Sequence, residues 1–313
     1  MKYGFGVDLG GTAVKIAYFD ETGSMLHKWE IPTVTANSGS QILPDIAAAV
    51  LGYLQEMRIE KENIIGIGIG VPGPVDQKGN VNRCSNLGWG VFNIHEKLSA
   101  LTGLPVWAGN DANMAALGER WKGSGGNCGN MVFATFGTGV GGGIVVDGKI
   151  VAGAHGAAGE IGHIVLEPKE EEMCTCGKRG CAEQYCSATG IVRLTKKRLQ
   201  ETEEDSLLRK IEAVTCKDVF DAAKAGDALA LAVLEQVYDY MGRFLAIVCC
   251  TVDPEVVVLG GGVSKAGEML LSGVERYFPK YIFHASNDIR FVLASLGNDA
   301  GAYGAFKLIL DAE

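Results

Sequence analysis

Apolar and polar positions alternate between glycine breaks from the start of the chain. YGFGVDLGG, TAVKIAYFD and SMLHKWEI predict three short strands joined by turns, because β-branched and aromatic residues fill the intervals that glycine punctuates. Residues 40–57 are predicted to be helical, and IIGIGIGVPG follows with the pattern of a buried strand. The same grammar returns later, where NMVFATFGTG, GGGIVVDG and KIVAGA again give strand, glycine turn, strand, glycine turn, strand. Two similarly built halves are therefore expected. Between them, NDANMAALGERW has a polar start followed by Met114, Leu117 and Trp121 at helical spacing, so a helix should open at Asn110 or Asp111. The stretch from Ile191 to Met241 predicts charged helices with solvated faces and carries no chemical motif. DPEVVVLGGGVSKAGEML then gives a buried strand, a glycine turn and a helix start, and GAYGAFKLIL predicts a closing helix.

Three of the glycine turns carry candidate chemistry. DLGGT, from Asp8 to Thr12, sets an acid, two glycines and a hydroxyl at a bend between strands. Glycine lets backbone N–H groups approach a phosphate, Thr12 can donate a hydrogen bond, and Asp8 can hold Mg2+ through water. An ordinary hairpin would account for the same residues. FGTGVGGG contains the G-x-G-x-x-G spacing through Gly137, Gly139 and Gly142, but the chain continues as strand (IVVDGKIV) where a dinucleotide-binding unit would open a helix. A G-x-x-x-x-G-K-[ST] loop is absent, which excludes a P-loop nucleotide site. LGGGVS lies between a strand and a helix and can bring backbone against an adenosine.

Composition narrows the function classes. At 313 residues the chain is long enough for two α/β domains sharing a cleft. With 47% hydrophobic residues and no apolar run near the ~18–20 residues of a membrane span, a soluble protein is expected. The beginning, MKYGFGVDLGGT, lacks the features of a secretory signal, so the expected location is the cytoplasm. A formal net charge of -9 makes general attraction to nucleic acid or anionic lipid unfavourable. Nine cysteines in such a chain point to metal binding or reduced core thiols rather than disulfides. Cys84, Cys128, Cys216, Cys249 and Cys250 are scattered, whereas Cys174, Cys176, Cys181 and Cys186 fall within thirteen residues that also hold Gly177 and Gly180.

Asp111 stands at the predicted helix start, where a cap is the simplest explanation. It is flanked by Asn110 and Asn113, whose amides can bind hydroxyls, and GEIGH adds Glu160 and His163. Together these suit a polyol.

DLGGT, GVPGPVD, SNLGW, GNDAN, FGTGVGGG, GAAGEIGH, CTCGKRGCAE and VVLGGG occur in that order across essentially the whole chain, and in this it resembles the ROK family of bacterial sugar kinases and repressors. The resemblance implies an α/β, two-domain, actin-like (RNase H-type) ATPase fold that closes over ATP and sugar. Residues 1–110 plus 297–313 would form the smaller domain and 111–296 the larger, with a zinc-binding loop. Asp111 is then the general base or orienting carboxylate for the sugar 6-hydroxyl. Asn86, Asn110, Glu160, His163 and Glu183 match sugar contacts. Asp8, Gly10, Gly11, Thr12, Thr138 and Gly139 match nucleotide phosphate and Mg2+ positions, and Gly260, Gly261 and Gly262 the adenosine turn. The chain departs from the usual cysteine pattern with Thr175 in place of glycine and KEEEM just before it, which leaves the metal ligands intact but affects the path of the loop.

Three thiolates and one imidazole make the closed tetrahedral set that structural Zn2+ prefers, here His163, Cys174, Cys176 and Cys181, with Cys186 as the competitor for the place of His163. Glucose is the expected substrate, since AGEIGHI most resembles the glucokinase members. N-acetylmannosamine, N-acetylglucosamine, allose and fructose are the alternatives. A sugar-sensing repressor is disfavoured, because only seven residues precede Asp8. Family members are commonly dimers or tetramers, so a homo-oligomer is expected.

Overall fold

The computed structural model describes residues 2–82 and 84–312. In chain order the elements are β1 (Tyr3–Leu9), β2 (Ala13–Asp20), β3 (Met25–Pro32), α1 (Ala36–Gly39), α2 (Ile42–Glu56), β4 (Ile64–Val71), β5 (Asn80–Val81), β6 (Phe92–Asn93), α3 (Ile94–Thr102), β7 (Val106–Asn110) and α4 (Asp111–Lys122). There follow β8 (Met131–Phe136), β9 (Val140–Val146), β10 (Lys149–Ile150), α5 (Glu183–Cys186), α6 (Ala188–Glu201), α7 (Cys216–Lys224), α8 (Ala228–Val252), β11 (Val256–Gly260), α9 (Glu268–Tyr277), β12 (Arg290–Leu293) and α10 (Ala300–Leu310).

Two five-stranded sheets share one plan, with orders β3-β2-β1-β4-β7 and β10-β9-β8-β11-β12. In the first, an antiparallel three-stranded meander is extended by two parallel strands; in the second, β10 runs antiparallel to β9, and β11 is parallel to both β8 and β12. The repeated strand and turn grammar of the sequence is thus a repeated sheet. The chain forms two compact units. The first comprises the chain up to Asn127, Gly143–Gly159 and the chain from Ser295; the second comprises Cys128–Gly142 and Glu160–Ala294. Helix α4 lies in the first unit, beyond the boundary at residue 110 that the sequence reading drew.

The first unit explains the glycines of its strands. Side chains alternate across a strand, and Phe5, Val7, Leu9, Ile67 and Ile69 join Ile42, Ile46, Val50 and Leu98 in one buried cluster. On the other face Gly6 and Gly68 meet α10. A Cβ at Gly6 would stand 2.1 Å from the Ala302 carbonyl oxygen, and one at Gly68 would stand 1.8 Å from that of Ala305. Helix α10 also meets α4 backbone to backbone: a Cβ at Gly118 would fall 2.1 Å from the Ala300 oxygen, and one at Gly304 would fall 1.7 Å from the Met114 oxygen. The closing helix is fixed from two sides by the absence of side chains.

Candidate functional site

Asp8 points to the α10 face of β1. It is registered opposite Lys15 of β2 and beside Gly70 of β4, and the Lys15 Nζ lies 3.3 Å from its Oδ2. Burial raises the Asp8 carboxyl above its ordinary range, and the Lys15 charge opposes that shift. Gly301 at the first turn of α10 leaves room for the carboxylate, since a Cβ there would stand 2.8 Å from Asp8 Cγ. Neither Lys15 nor Gly301 stands out in the sequence; the cross-strand register and the α10 approach identify them.

Strands β1, β4 and β7 are parallel, so their carboxyl ends lie along one edge of the sheet. Two strand spacings, about 10 Å, separate Asp8 from Gly109, two residues before Asp111. Helix α4 begins at that edge. Its cap is Asn110, whose Oδ1 accepts the Asn113 amide at 3.1 Å while Nδ2 donates to the Gly73 carbonyl at 3.2 Å. Asp111 therefore does not serve as the cap. Its Oδ1 accepts the Ala112 amide at 2.8 Å, and the N-terminal turn of the helix favours its negative charge. Asn113 is buried, and its Oδ1 has no partner among the described residues. Asn86 lies exposed in a 3-10 turn over Ser85–Leu87. Burial raises the thiol of the neighbouring Cys84, and the Asp111 charge adds to the rise.

The DLGGT turn closes with the Gly10 amide on the Ala13 carbonyl at 3.0 Å, and the Thr33 hydroxyl holds the Gly10 oxygen at 2.7 Å. Gly11 and Thr12 are exposed at its tip. In the second unit β8 and β11 are parallel neighbours, and both end in glycine turns. Gly261 adopts φ +83 with its Cα against the Phe136 backbone, so these two turns lie side by side. Gly11, Gly137 and Gly262 have no atom near the place of a Cβ and no left-handed φ. The fold gives no reason for glycine at these three positions, whereas close approach of a ligand to the backbone does.

Glu160 is exposed and His163 partly buried on either side of Gly162, where a Cβ would stand 2.1 Å from the Val140 oxygen. The GEIGH segment is thereby seated on the turn after β8. His163 Nδ1 lies 3.7 Å from Cys174 Sγ, and Cys176 Sγ lies 3.6 Å from Cys181 Sγ. The ligating atoms of His163, Cys174, Cys176 and Cys181 all fall within 4.8 Å of one another. Cys186 is not in this group; it is fully buried, which raises its thiol pKa. Glu183 turns its carboxylate inward, accepting the Val140 amide at 3.2 Å and the Thr175 hydroxyl at 2.6 Å. The KEEEM segment is anchored by Glu170, which accepts the Tyr185 hydroxyl at 2.6 Å, the amides of Glu171 and Glu172, and an ion pair from Arg193 at 3.0 Å. Although burial opposes it, these partners hold the Glu170 carboxyl at about 2.

Beside Thr138 opens a pocket of about 530 Å3, lined also by Thr189, Val192, Lys196, Thr215 and Cys216. No motif announces it, because its walls come from α6 and the start of α7. Of the residues singled out from sequence, the first unit holds Asp8, Gly10, Gly11, Thr12, Asn86, Asn110 and Asp111. The second holds Thr138, Gly139, Glu160, His163, Cys174, Cys176, Cys181, Glu183 and Gly260 to Gly262.

The ROK family model matches residues 4–312. A glucokinase of Halalkalibacterium halodurans is 43% identical over 98% of this chain and 95% of its own. Among solved structures, a ROK family glucokinase from Streptomyces griseus in complex with glucose and AMPPNP is 33% identical, covers 98% of both chains and superposes with a TM-score of 0.78. A ROK hexokinase from Thermus thermophilus is 31% identical over 99% of both chains, with a TM-score of 0.79.

Proposed function

Because the chain belongs to the ROK family, we propose that it is an ATP-dependent hexose kinase whose substrate is glucose, with glucose 6-phosphate and ADP as products. The observation that carries this reading is the near full-length match to glucokinases. The actin-like ATPase architecture of its relatives agrees with it.

Phosphoryl transfer passes through a loose transition state, so the protein acts mainly by alignment and by offsetting charge. Asp111 accepts the proton of the 6-hydroxyl as that oxygen attacks the γ-phosphorus and the bond to ADP breaks. Asn110 fixes the helix start that aims Asp111, and Asn86, Asn110, Glu160, His163 and Glu183 bind the remaining sugar hydroxyls. Gly10, Gly11, Thr12, Thr138 and Gly139 receive the phosphates through backbone N–H groups and hydroxyls. The adenosine occupies the pocket beside Thr138 and the turn at Gly260 to Gly262. Mg2+ would be held through Asp8 and would neutralise phosphate charge.

The donor set of His163, Cys174, Cys176 and Cys181 fits a single Zn2+: three sulfurs and one nitrogen converge and make up a full tetrahedral set. Zn2+ there would be structural, fixing the segment that carries Glu160 and His163. Nine free cysteines suit a reducing compartment, which supports a cytoplasmic location in this reading.

The test is ADP release coupled to a chromogenic readout across a hexose panel. Glucose should give the highest kcat/KM. A value for N-acetylmannosamine or N-acetylglucosamine about tenfold above that of glucose would replace the substrate, and no ADP release with any hexose would reject the reaction.

A further inference from the structure

Glu119 carries its carboxylate in the last turn of α4 and is fully buried. Acidic residues are almost never fully buried without partners, and the C-terminal end of a helix disfavours negative charge. Backbone donors hold this one in place. Oε2 accepts the Ser124 amide at 3.0 Å, the Ser295 amide at 3.1 Å and the Ser295 hydroxyl at 3.4 Å, and Oε1 accepts the Leu296 amide at 2.7 Å. Gly123 completes the cradle, since a Cβ there would stand 2.0 Å from Oε2. These bonds join the end of α4 to the residues with which the chain returns to the first unit. From Leu296 the chain passes through a 3-10 turn, Gly297–Asp299, directly into α10.

The staple sets where α10 begins. Against β1, β4 and α4 this helix makes contacts at Gly6, Gly68, Gly118 and Gly304 in which backbone meets backbone. Such contacts fix how near the helix lies, but with no side chains interlocked they resist a shift along its axis only weakly. Toward its far end α10 is keyed by Phe306, which stacks on Phe19 with ring centres 4.6 Å apart. At its start the key is the Glu119 carboxylate. Gly301, in the first turn, is the residue that faces Asp8. The start of α4 is held separately, by the Asn110 side chain on the Gly73 carbonyl.

We infer that Glu119 is a positioning residue for Asp8: by bonding the amides of Ser295 and Leu296 it sets the axial position of α10 and, through Gly301, the place of the Asp8 carboxylate. The inference rests on the kinase reading above, in which Asp8 would hold Mg2+.

The test compares Glu119→Gln and Gly123→Ala with wild type. The first keeps the size of the side chain but turns an accepting oxygen into an NH2 that faces backbone amides, and the second displaces the carboxylate without removing it. Ile309→Ala, at a fully buried position in the last turn of α10, is the control for lost stability alone. Calorimetric affinities for MgADP and glucose, kcat, Tm and hydrogen exchange of the Ser295 and Leu296 amides are measured on each protein. Both variants should bind MgADP at least about tenfold more weakly, the scale of losing a residue that orients a metal ligand, with kcat down by a similar factor and glucose affinity within about twofold. The two amides should exchange faster. Ile309→Ala should lower Tm and leave MgADP affinity unchanged. A wild-type MgADP affinity in either folded variant overturns the inference and leaves Glu119 as a support of the fold. So does a loss shared equally by glucose, an equal loss in Ile309→Ala, or failure of both variants to fold. A wild type that releases no ADP with any hexose rejects the kinase reading instead, and exchange with MgADP binding then still decides whether Glu119 governs the place of Asp8.

Discussion

Replacing Gly301 by alanine tests how closely the placement of Asp8 governs turnover. The new Cβ would stand 2.8 Å from Asp8 Cγ and 2.9 and 3.1 Å from its two oxygens, so roughly 0.7 Å of overlap has to be relieved before ordinary carbon contact of about 3.5 Å is restored. Lifting α10 is the stiff route, because its backbone already touches β1 at Gly6, β4 at Gly68 and α4 at Gly118. Rotation of the Asp8 side chain is the soft route, and it moves the carboxylate by up to about 1 Å. Misplacement on that scale costs about 10²-fold in rate at an active site. The stability change should be small, since overpacking of about 1–3 kcal/mol is partly offset by the gain of about 1 kcal/mol when alanine replaces glycine in a helix. Gly304→Ala is the contrast on the same helix. There the clash is with the Met114 backbone oxygen at 1.7 Å, and no side chain can rotate away. It should cost more than about 3 kcal/mol and lower Tm by several degrees. Coupled kinetics at varied ATP and Mg2+, with calorimetric Tm for both variants, separate the two effects. A Gly301→Ala enzyme with wild-type kcat and KM for ATP would refute the role given to Asp8, and a Gly304→Ala protein as stable as wild type would refute the packing account of α10.

Asp111→Asn keeps the size of the side chain and removes its basicity, so kcat should fall by at least about 10²-fold while calorimetric glucose affinity survives; near-normal turnover would leave Asp111 out of the chemistry. Elemental analysis should find roughly one zinc per chain, and Cys176→Ala or Cys181→Ala should lower Tm and raise KM for glucose; active protein free of zinc would sink the assignment. Glu170 has a folded pKa of about 2 against an ordinary 4.5. Its contribution to stability is therefore complete above pH 4.5 and is lost as pH falls toward 2, so Glu170→Gln should flatten the decline of Tm over that window; an unaltered acid profile would show that the KEEEM anchor does not matter.

The strands, a helix opening at Asn110 or Asp111, the three glycine turns and the cysteine cluster were legible in the sequence. Each is written in local terms, as a period of two or 3.6 residues, a turn residue or a short ligand spacing. The tertiary structure decided what those local terms left open. Asn110 rather than Asp111 caps α4, because the amide of Asn110 reaches both the Asn113 amide and the Gly73 carbonyl. His163 rather than Cys186 completes the thiol group, because the turn of backbone at Gly162 brings the ring to Cys174. Glu183, expected on the sugar, also accepts the Val140 amide and the Thr175 hydroxyl, contacts that no local spacing announces. The alternating glycines of β1 and β4 make a buried strand pattern in the sequence, and only the approach of α10, from the far end of the chain, shows why a side chain at Gly6 or Gly68 could not be tolerated. Local spacing fixes which way a residue faces along its own element. What it faces depends on segments remote in the chain, and backbone contact between them leaves no periodic trace.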